Sequence, residues 1–292
     1  MASCFCIIVS YRPDVTRLAE LCRTLVAGGA VVIVVDNTEQ PSFEPSRMPE
    51  GCTLVQLGYN SGIAHAQNVG VRAALEAGAE ILLFLDQDSK VEAGFAASLI
   101  SSLDPSVAEV VSPLCVDEAT GMPLAAEDLG RFGWSKGVYQ PGVATRYPVD
   151  ISISSGMAVT RRAVEIVGPF DEEYFIDFVD TDWCLRCREK RIPIYVDPSV
   201  VMKHTIGSRH FNVGPLGIAV HGPRRCYYQI RNCFLLFRKR HVPFLYSLKQ
   251  LLGTLVSRAI LMLFVEGRLA YLKAYLSGIR DGLMGRTGAG PA

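Results

Sequence analysis

Ile81-Leu82-Leu83-Phe84-Leu85-Asp86-Gln87-Asp88 is an unbroken apolar run that ends in a carboxylate, a carboxamide and a second carboxylate. A strand built from such a run has no polar face, so it must be covered on both sides, as in a parallel sheet flanked by helices. Similar runs occupy residues 4–9, 31–35 and 53–57. Val15, Leu18, Leu21, Cys22 and Leu25 fall at helical spacing between the first two runs. Ile63, Ala66, Val69, Ala73 and Ala77 do the same between the last two. This alternation predicts an α/β fold with a mostly parallel sheet.

Further along, residues 105–148 are rich in Gly and Pro, with acidic residues around Glu127 and little periodicity, which predicts irregular structure and substrate loops. A second ordered block follows. It comprises a strand at 151–154, a turn at Gly156, a helix ending near Val167, a helix over 181–190, and short strands at 194–196 and 200–202 that lead into His204. Beyond Pro215, helical spacing with recurring basic residues runs to about Arg280, and a Gly-rich tail is expected to fray. The expected organisation is one domain over 1–214, with a Rossmann-like half (1–104) and a second half (105–214), followed by a helical extension over 215–292.

The formal net charge is zero, but its distribution is uneven. Residues 1–223 carry 17 basic and 27 acidic side chains, and residues 224–292 carry 12 basic and 2 acidic. A basic segment of this kind faces an anionic partner. Its charges alternate with Leu, Ile, Phe and Tyr, which favours phospholipid headgroups over nucleic acid. The longest apolar stretch there, 259–265, is far below the ~20 residues of a membrane-spanning helix. Lys249, Arg258, Arg268, Lys273 and Arg280 therefore predict amphipathic helices lying on a bilayer; packing on the body or a homo-oligomer interface is the alternative. The nine cysteines are scattered and several sit in apolar runs, which predicts buried thiols. Met1 leads directly into a strand-like run without the features of a secretory signal, so a cytoplasmic location is expected.

In open parallel sheets, ligands bind beyond the carboxyl ends of the strands. Ser10 and Tyr11, Asp36 and Asn37, Asn60, and Asp86 with Asp88 occupy those ends. Asp86 and Asp88 are two apart, so in extended geometry they point to one side and can share Mg²⁺ or Mn²⁺ while leaving positions for phosphate. Such an ion neutralises charge on a departing diphosphate. An isolated Asp-x-Asp would equally suit a solvated turn. Asp36 suits the imide of a pyrimidine base or a loop cap. Asn60 and Asn68 flank the start of a helix whose amides favour anions, with Arg72 one turn on. Gly58-Tyr59-Asn60-Ser61-Gly62 is neither a dinucleotide fingerprint nor a phosphate-binding loop ending in Gly-Lys-Ser/Thr. His65 reads as a surface or packing residue.

Asp171, Glu172, Glu173, Asp177, Asp180 and Asp182 are interleaved with Tyr174, Phe175, Phe178 and Trp183. Aromatic walls suit sugar faces, and a carboxylate beside them suits a base that deprotonates a hydroxyl. Asp180 is the first candidate and Asp182 the second, with helix capping as the alternative for Asp182. His204 is a candidate for a metal or diphosphate.

In order along residues 4–207, these motifs resemble the inverting glycosyltransferases of family 2, which have the GT-A fold. The resemblance rests on Val9-Ser10-Tyr11, Val35-Asp36-Asn37, the run from Asn60 through Asn68-Val69-Gly70, Asp86-Gln87-Asp88, Ser155-Gly156-Met157, Phe170-Asp171-Glu172, the segment from Asp180 to Arg186, and His204. It implies that Ser10, Tyr11 and Asp36 contact the nucleoside and that the Asp86-Gln87-Asp88 segment binds metal and diphosphate; with Asn60, Asn68 and Arg72 around the anion-favouring helix start, these make up the expected nucleotide-sugar site. It further implies catalysis by Asp180; His204 is expected as a third metal ligand beside Asp86 and Asp88, and Gly156, Met157, Asp182 and Trp183 are expected to contact the acceptor. Val179 stands where many relatives carry Glu. The segments 177–184 and 227–232 look like the rhamnosyltransferase branch, which implies dTDP-L-rhamnose as donor. The same resemblance implies a surface-polysaccharide acceptor, often linked to polyprenyl diphosphate, and a peripheral place on the inner face of the cell membrane. The rival readings are a sugar nucleotidyltransferase and a non-catalytic sugar-nucleotide-binding protein.

Overall fold

The four apolar runs form β1 (Cys4–Ser10), β2 (Val31–Asp36), β3 (Cys52–Gln56) and β4 (Ile81–Asp86) in a computed structural model, which describes residues 3–40, 43–117, 121, 124, 126–140, 142–204, 210–213 and 216–290. All four are parallel, and Val9 on β1 lies opposite Val35 on one side and Asp86 on the other. The polar strand ends therefore share one edge. Side chains alternate across the sheet, so each face has its own cover. Helix α1 (Val15–Ala27) packs Leu18, Leu21 and Leu25 on Cys6, Ile8 and Val34. Helix α2 (Ile63–Glu76) packs Ala66, Val71 and Ala74 on Phe5, Ile7 and Val35. A Cβ at Gly70 would lie 2.5 Å from Ile7 Cγ2, so only glycine allows α2 this close to the sheet.

After α3 (Phe95–Ser101) the chain forms β5 (Val110–Asp117), β6 (Ala126–Leu129), β7 (Ser135–Val138) and β8 (Tyr147–Val149). The expectation of irregular structure over 105–148 is thus corrected. Pro113 concealed β5, because proline cannot donate to a ladder. In the sheet it faces Asp197, where the neighbouring strand shifts register. The strand expected at 151–154 is also corrected: Ile151 makes an isolated bridge with Glu127, and β9 (Ala158–Thr160) follows Gly156 instead.

Helices α4 (Arg161–Val167) and α5 (Val179–Glu189) precede β10 (Ile194–His204), in which the two short strands expected there are joined. Among the described residues the main sheet has eight strands in the order β3-β2-β1-β4-β9-β5-β10-β8, with β9 and β8 antiparallel to their neighbours. A separate hairpin joins β11 (His210–Val213) to β12 (Leu216–Ala219).

The C-terminal part consists of α6 (Pro223–Leu236), α7 (Phe244–Phe264) and α8 (Arg268–Met284). Cβ atoms at Gly278 and Gly282 would lie 2.9 Å from Tyr227 O and 2.5 Å from Phe234 Cδ2, so these glycines bring α8 against α6. The tail expected to fray is tied down: Gly288 N donates to Glu173 O at 2.8 Å and Gly290 N to Tyr228 Oη at 2.9 Å. Helix α7 departs from expectation as well. Its 21 residues, with a mean hydropathy of 1.3, are long and apolar enough to cross a membrane by length and composition. Lys249 and Arg258 interrupt its apolar run, but both turn inward. Lys249 Nζ donates to Ser135 O and Oγ at 2.6 Å, and Arg258 is half-buried.

Candidate active site

A cleft of about 980 Å³ opens at the carboxyl ends of β1, β2 and β4. Tyr11, Asn37, Asn60, Asp86, Gln87 and Asp88 form one wall, and Ser154, Phe175, Asp177, Asp180, Arg224, Arg225 and Tyr228 form the other.

The first wall is preorganised by side-chain amides. Gln87 Oε1 accepts from Tyr11 N at 2.7 Å and its Nε2 donates to Tyr11 O at 3.2 Å, which ties the β1 exit to the β4 exit. Asn37 Oδ1 accepts from Ser61 N at 2.7 Å and Ser61 Oγ at 2.8 Å, while its Nδ2 donates to Asn60 Oδ1 at 3.3 Å. Asp86 N donates to Ser89 Oγ at 3.1 Å. Gln67, on α2, lines the cleft at 5% exposure, and its Oε1 has no hydrogen-bond partner.

The second wall is a strained loop. Phe175, Asp177 and Phe178 have φ of +64°, +64° and +65°. Each such residue costs on the order of 1–3 kcal/mol and persists only where its surroundings hold it. Two fully buried residues of α6 supply that hold. Asn232 Nδ2 donates to the carbonyls of Tyr174 (3.0 Å), Ile176 (2.7 Å) and Asp177 (3.1 Å), and Arg231 Nη2 to that of Tyr174 at 2.8 Å. Phe175 stacks on Tyr228 with centroids 4.8 Å apart. Gly62, at φ +86°, fits beneath it, where a Cβ would lie 2.6 Å from the Phe175 ring. Arg225 grips Asp177 through Nη2–Oδ1 at 2.9 Å and Nε–Oδ1 at 3.1 Å.

Asp180 stands in the first turn of α5, where its carboxylate accepts from Thr181 N at 2.8 Å and Ser154 N at 3.3 Å. Burial raises its pKa above the usual carboxylate value, those amides oppose the shift, and the charges of Asp177 and Asp86 add to it. A carboxylate held in this way is suited to accept a proton.

Of the expected site residues, Tyr11, Asn60, Asp86, Gln87, Asp88 and Asp180 come together in the cleft. Ser10 and Asp36 are buried beneath it; Asp36 Oδ1 accepts from Ser10 Oγ at 3.3 Å and Thr38 Oγ1 at 2.7 Å. Asn68 braces the loop before α5, exchanging hydrogen bonds with Phe170 at 2.8 and 2.9 Å. Arg72 is exposed outside the lining. His65 pairs with Glu172 at 2.9 Å. His204 ends β10, and its side chain lies outside the described residues.

The four acceptor assignments are corrected. Gly156 packs on Pro113, Met157 is buried, and Trp183 donates Nε1 to Gly168 O at 3.0 Å from the core. Asp182 is fully buried against His241 Nε2 at 2.8 Å and Arg186 Nε at 3.0 Å. Burial works to raise its pKa, but the His241 hydrogen bond and the Arg186 charge hold it below the usual value. On a helix, residues two apart point about 200° apart, so Asp180 and Asp182 cannot share a surface.

The donor set fits a divalent cation of the expected kind. Among the described residues no group of three or more His, Cys, Asp or Glu is suited to a metal, so a cation in the cleft would rest on Asp86 and Asp88, which both line it, and on phosphate and water. A six-coordinate Mg²⁺ or Mn²⁺ held by two carboxylates keeps positions for phosphate and water.

No protein-family model matches the chain. It is 34% identical over 287 residues to the dTDP-rhamnosyl transferase RfbF of Shigella flexneri, covering 98% of this chain and 97% of that one. It is 24% identical to the low-salt glycan biosynthesis hexosyltransferase Agl10 of Haloferax volcanii, over 97% of this chain and 91% of that protein. Among solved structures, S. aureus TarS 1–349 in complex with UDP-GlcNAc superposes with a TM-score of 0.54 at 14% identity, covering 97% of this chain and 81% of that one. GalNAc-T7 with UDP, GalNAc and Mn²⁺ superposes with a TM-score of 0.53 at 12% identity, and the chain spans 51% of its length. Near full-length similarity to a rhamnosyltransferase, a GT-A fold and a carboxylate-lined cleft at the strand ends lead to one conclusion: this chain is a glycosyltransferase of family 2, in the rhamnosyltransferase branch.

Proposed function

We propose that the enzyme transfers L-rhamnose from dTDP-L-rhamnose, with inversion, to a hydroxyl of a surface-polysaccharide acceptor carried on a polyprenyl diphosphate. The observation that carries this reading is Asp180, raised in pKa and placed in one cleft with Asp86 and Asp88. Asp180 takes the proton of the acceptor hydroxyl, and the oxygen attacks the anomeric carbon from the face opposite the diphosphate. The bond from that carbon to the diphosphate breaks, and dTDP leaves with the electron pair. Asp86 and Asp88 would hold Mg²⁺ or Mn²⁺, which neutralises diphosphate charge when bound.

The nucleoside would lie across the sheet edge. Two strand spacings separate β4 from β2, on the order of 10 Å, which matches the reach from a diphosphate to its base. Asn37, Asn60 and Gln67 stand at that end. The unpaired Gln67 Oε1 suits an imide N–H of thymine, and a buried acceptor without a partner is costly until one arrives. Asp36 would act from below, through Ser10 and Thr38.

The exposed apolar residues of α7 and α8 support a place on the membrane surface, at the inner face where a lipid-linked acceptor would be reached. The test is incubation with dTDP-L-rhamnose and Mg²⁺ or Mn²⁺, with release of dTDP measured. Release of pyrophosphate from dTTP and sugar phosphate would favour a nucleotidyltransferase instead. Donor binding without any turnover would favour a non-catalytic role.

A further inference from the structure

We propose that the β6–β7 turn and the first turn of α7 form one aromatic anchor that inserts into the surface of an anionic lipid bilayer. The inference rests on the membrane-surface reading above and names the part of the protein that enters the lipid.

Phe132 and Trp134, in the turn between β6 and β7, are 74% and 60% exposed. Phe244, at the start of α7, is 66% exposed and packs edge-on against Phe237 at 5.4 Å. Far apart in sequence, these aromatics are joined in space. Gly133 has φ of +81°, and its backbone approaches Pro243 so closely that a Cβ would lie 2.2 Å from Pro243 Cβ. Lys249 of α7 holds Ser135 through two hydrogen bonds of 2.6 Å and lies 5.7 Å from the Trp134 ring centroid. The turn and the helix thus form one fixed surface. From Phe244 it continues along α7 through Leu245, Leu252, Val256 and Leu263, all exposed on one face whose single charge, Lys249, is tied to Ser135.

The charge around this surface selects the occupant. Arg131, whose guanidinium lies 5.7 Å over the Phe132 ring, is exposed at the turn, and Arg268, whose Nη2 donates to Leu263 O at 2.8 Å, is exposed at the far end of α7. A second copy docked on the same patch would bring like-charged rims together. Anionic headgroups complement them, and tryptophan favours the headgroup depth of a bilayer. The inner face of α7 is committed to the body through Cys233 Sγ to Thr254 Oγ1 (3.4 Å) and by the burial of Tyr246 and Leu261, and Tyr275 Oη of α8 donates to Leu255 O (3.4 Å), so the helix lies along the surface.

The chain contains two tryptophans, and Trp183 is only 2% exposed, so Trp134 reports on the anchor. The full chain is mixed with phosphatidylglycerol/phosphatidylcholine vesicles, with and without brominated acyl chains. Tryptophan emission should shift to the blue and be quenched by bromine, and Trp134→Phe should abolish both changes. Removing two inserted aromatics with Phe132→Ser and Phe244→Ser should weaken vesicle binding about tenfold or more. Co-sedimentation with unchanged emission and no quenching would overturn the proposal, as would wild-type binding by the double variant. A lipid-free dimer that dissociates in that variant, without any vesicle effect, would assign the patch to a second copy. Binding of dTDP to the variant, measured without vesicles, should match wild type, so failure of the anchor is distinguishable from failure of the glycosyltransferase reading.

Discussion

Gln87 pairs with the backbone of Tyr11 as a strand would, accepting from its N–H at 2.7 Å and donating to its carbonyl at 3.2 Å. The middle residue of the acidic triplet thereby fixes the β1 loop while its neighbours remain at the cleft. Gln87→Met removes both bonds, each worth roughly 1 kcal/mol. We expect dTDP to bind about tenfold or more weakly by calorimetry, with a melting temperature lowered by only a few degrees.

Asp180 and Asp182 should separate cleanly. Asp180→Asn is expected to lower turnover by about 10² to 10⁴ while dTDP still binds. Asp182→Asn leaves Arg186 and His241 without their buried carboxylate, which should cost about 3–5 kcal/mol of stability in a urea titration. Near-normal turnover of a folded Asp180→Asn enzyme would remove the base assignment.

The two carboxylates also respond oppositely to pH. The Asp180 pKa is raised on folding by burial, so its ionised form costs stability as pH rises through the shifted value. Asp180→Asn should therefore be at least as stable as wild type at neutral pH. Because the base must be ionised to work, turnover should fall on the acid side at a pH above the usual aspartate value of about 3.9. Asp182 is held low, so its contribution is present above its unfolded pKa and is lost as pH falls through the folded one. Acid unfolding of wild type and Asp182→Asn should converge at low pH.

Asn232→Leu would strip the carbonyls of Ile176 and Asp177 of their donor and leave that of Tyr174 to Arg231 alone. A loss of about 2–4 kcal/mol in stability is expected, since each buried orphan costs roughly 1–3 kcal/mol. Hydrogen exchange should rise first in residues 173–178. A wild-type exchange pattern there would show that the loop holds itself.

Gln67→Met removes the unpaired acceptor at the nucleoside end of the cleft. We expect weaker dTDP binding and a reduced preference for dTDP over dCDP, because cytosine lacks the imide N–H. An unchanged preference would show that Gln67 does not read the base.

The sequence by itself determined the four parallel strands β1 to β4, the helices covering them, and the convergence of Tyr11, Asn60, Asp86, Gln87 and Asp88 at one edge. Apolar runs and helical spacing are local properties, and a polar residue after a buried strand has only one place to emerge. Opposite that edge the sequence pointed to Asp180, but how that wall is held, and which of its neighbours reach the cleft, was decided by tertiary structure. Asp182 faces the core because helical phase carries it away from Asp180, and β5 tolerates Pro113 because its neighbour shifts register there. Arg225 on Asp177, Asn232 under the strained loop, and Gly133 against Pro243 unite residues far apart along the chain. Such contacts leave no periodic trace in sequence, because their energy comes from buried hydrogen bonds and close packing that exist only once the sheet, α6 and α7 have come together.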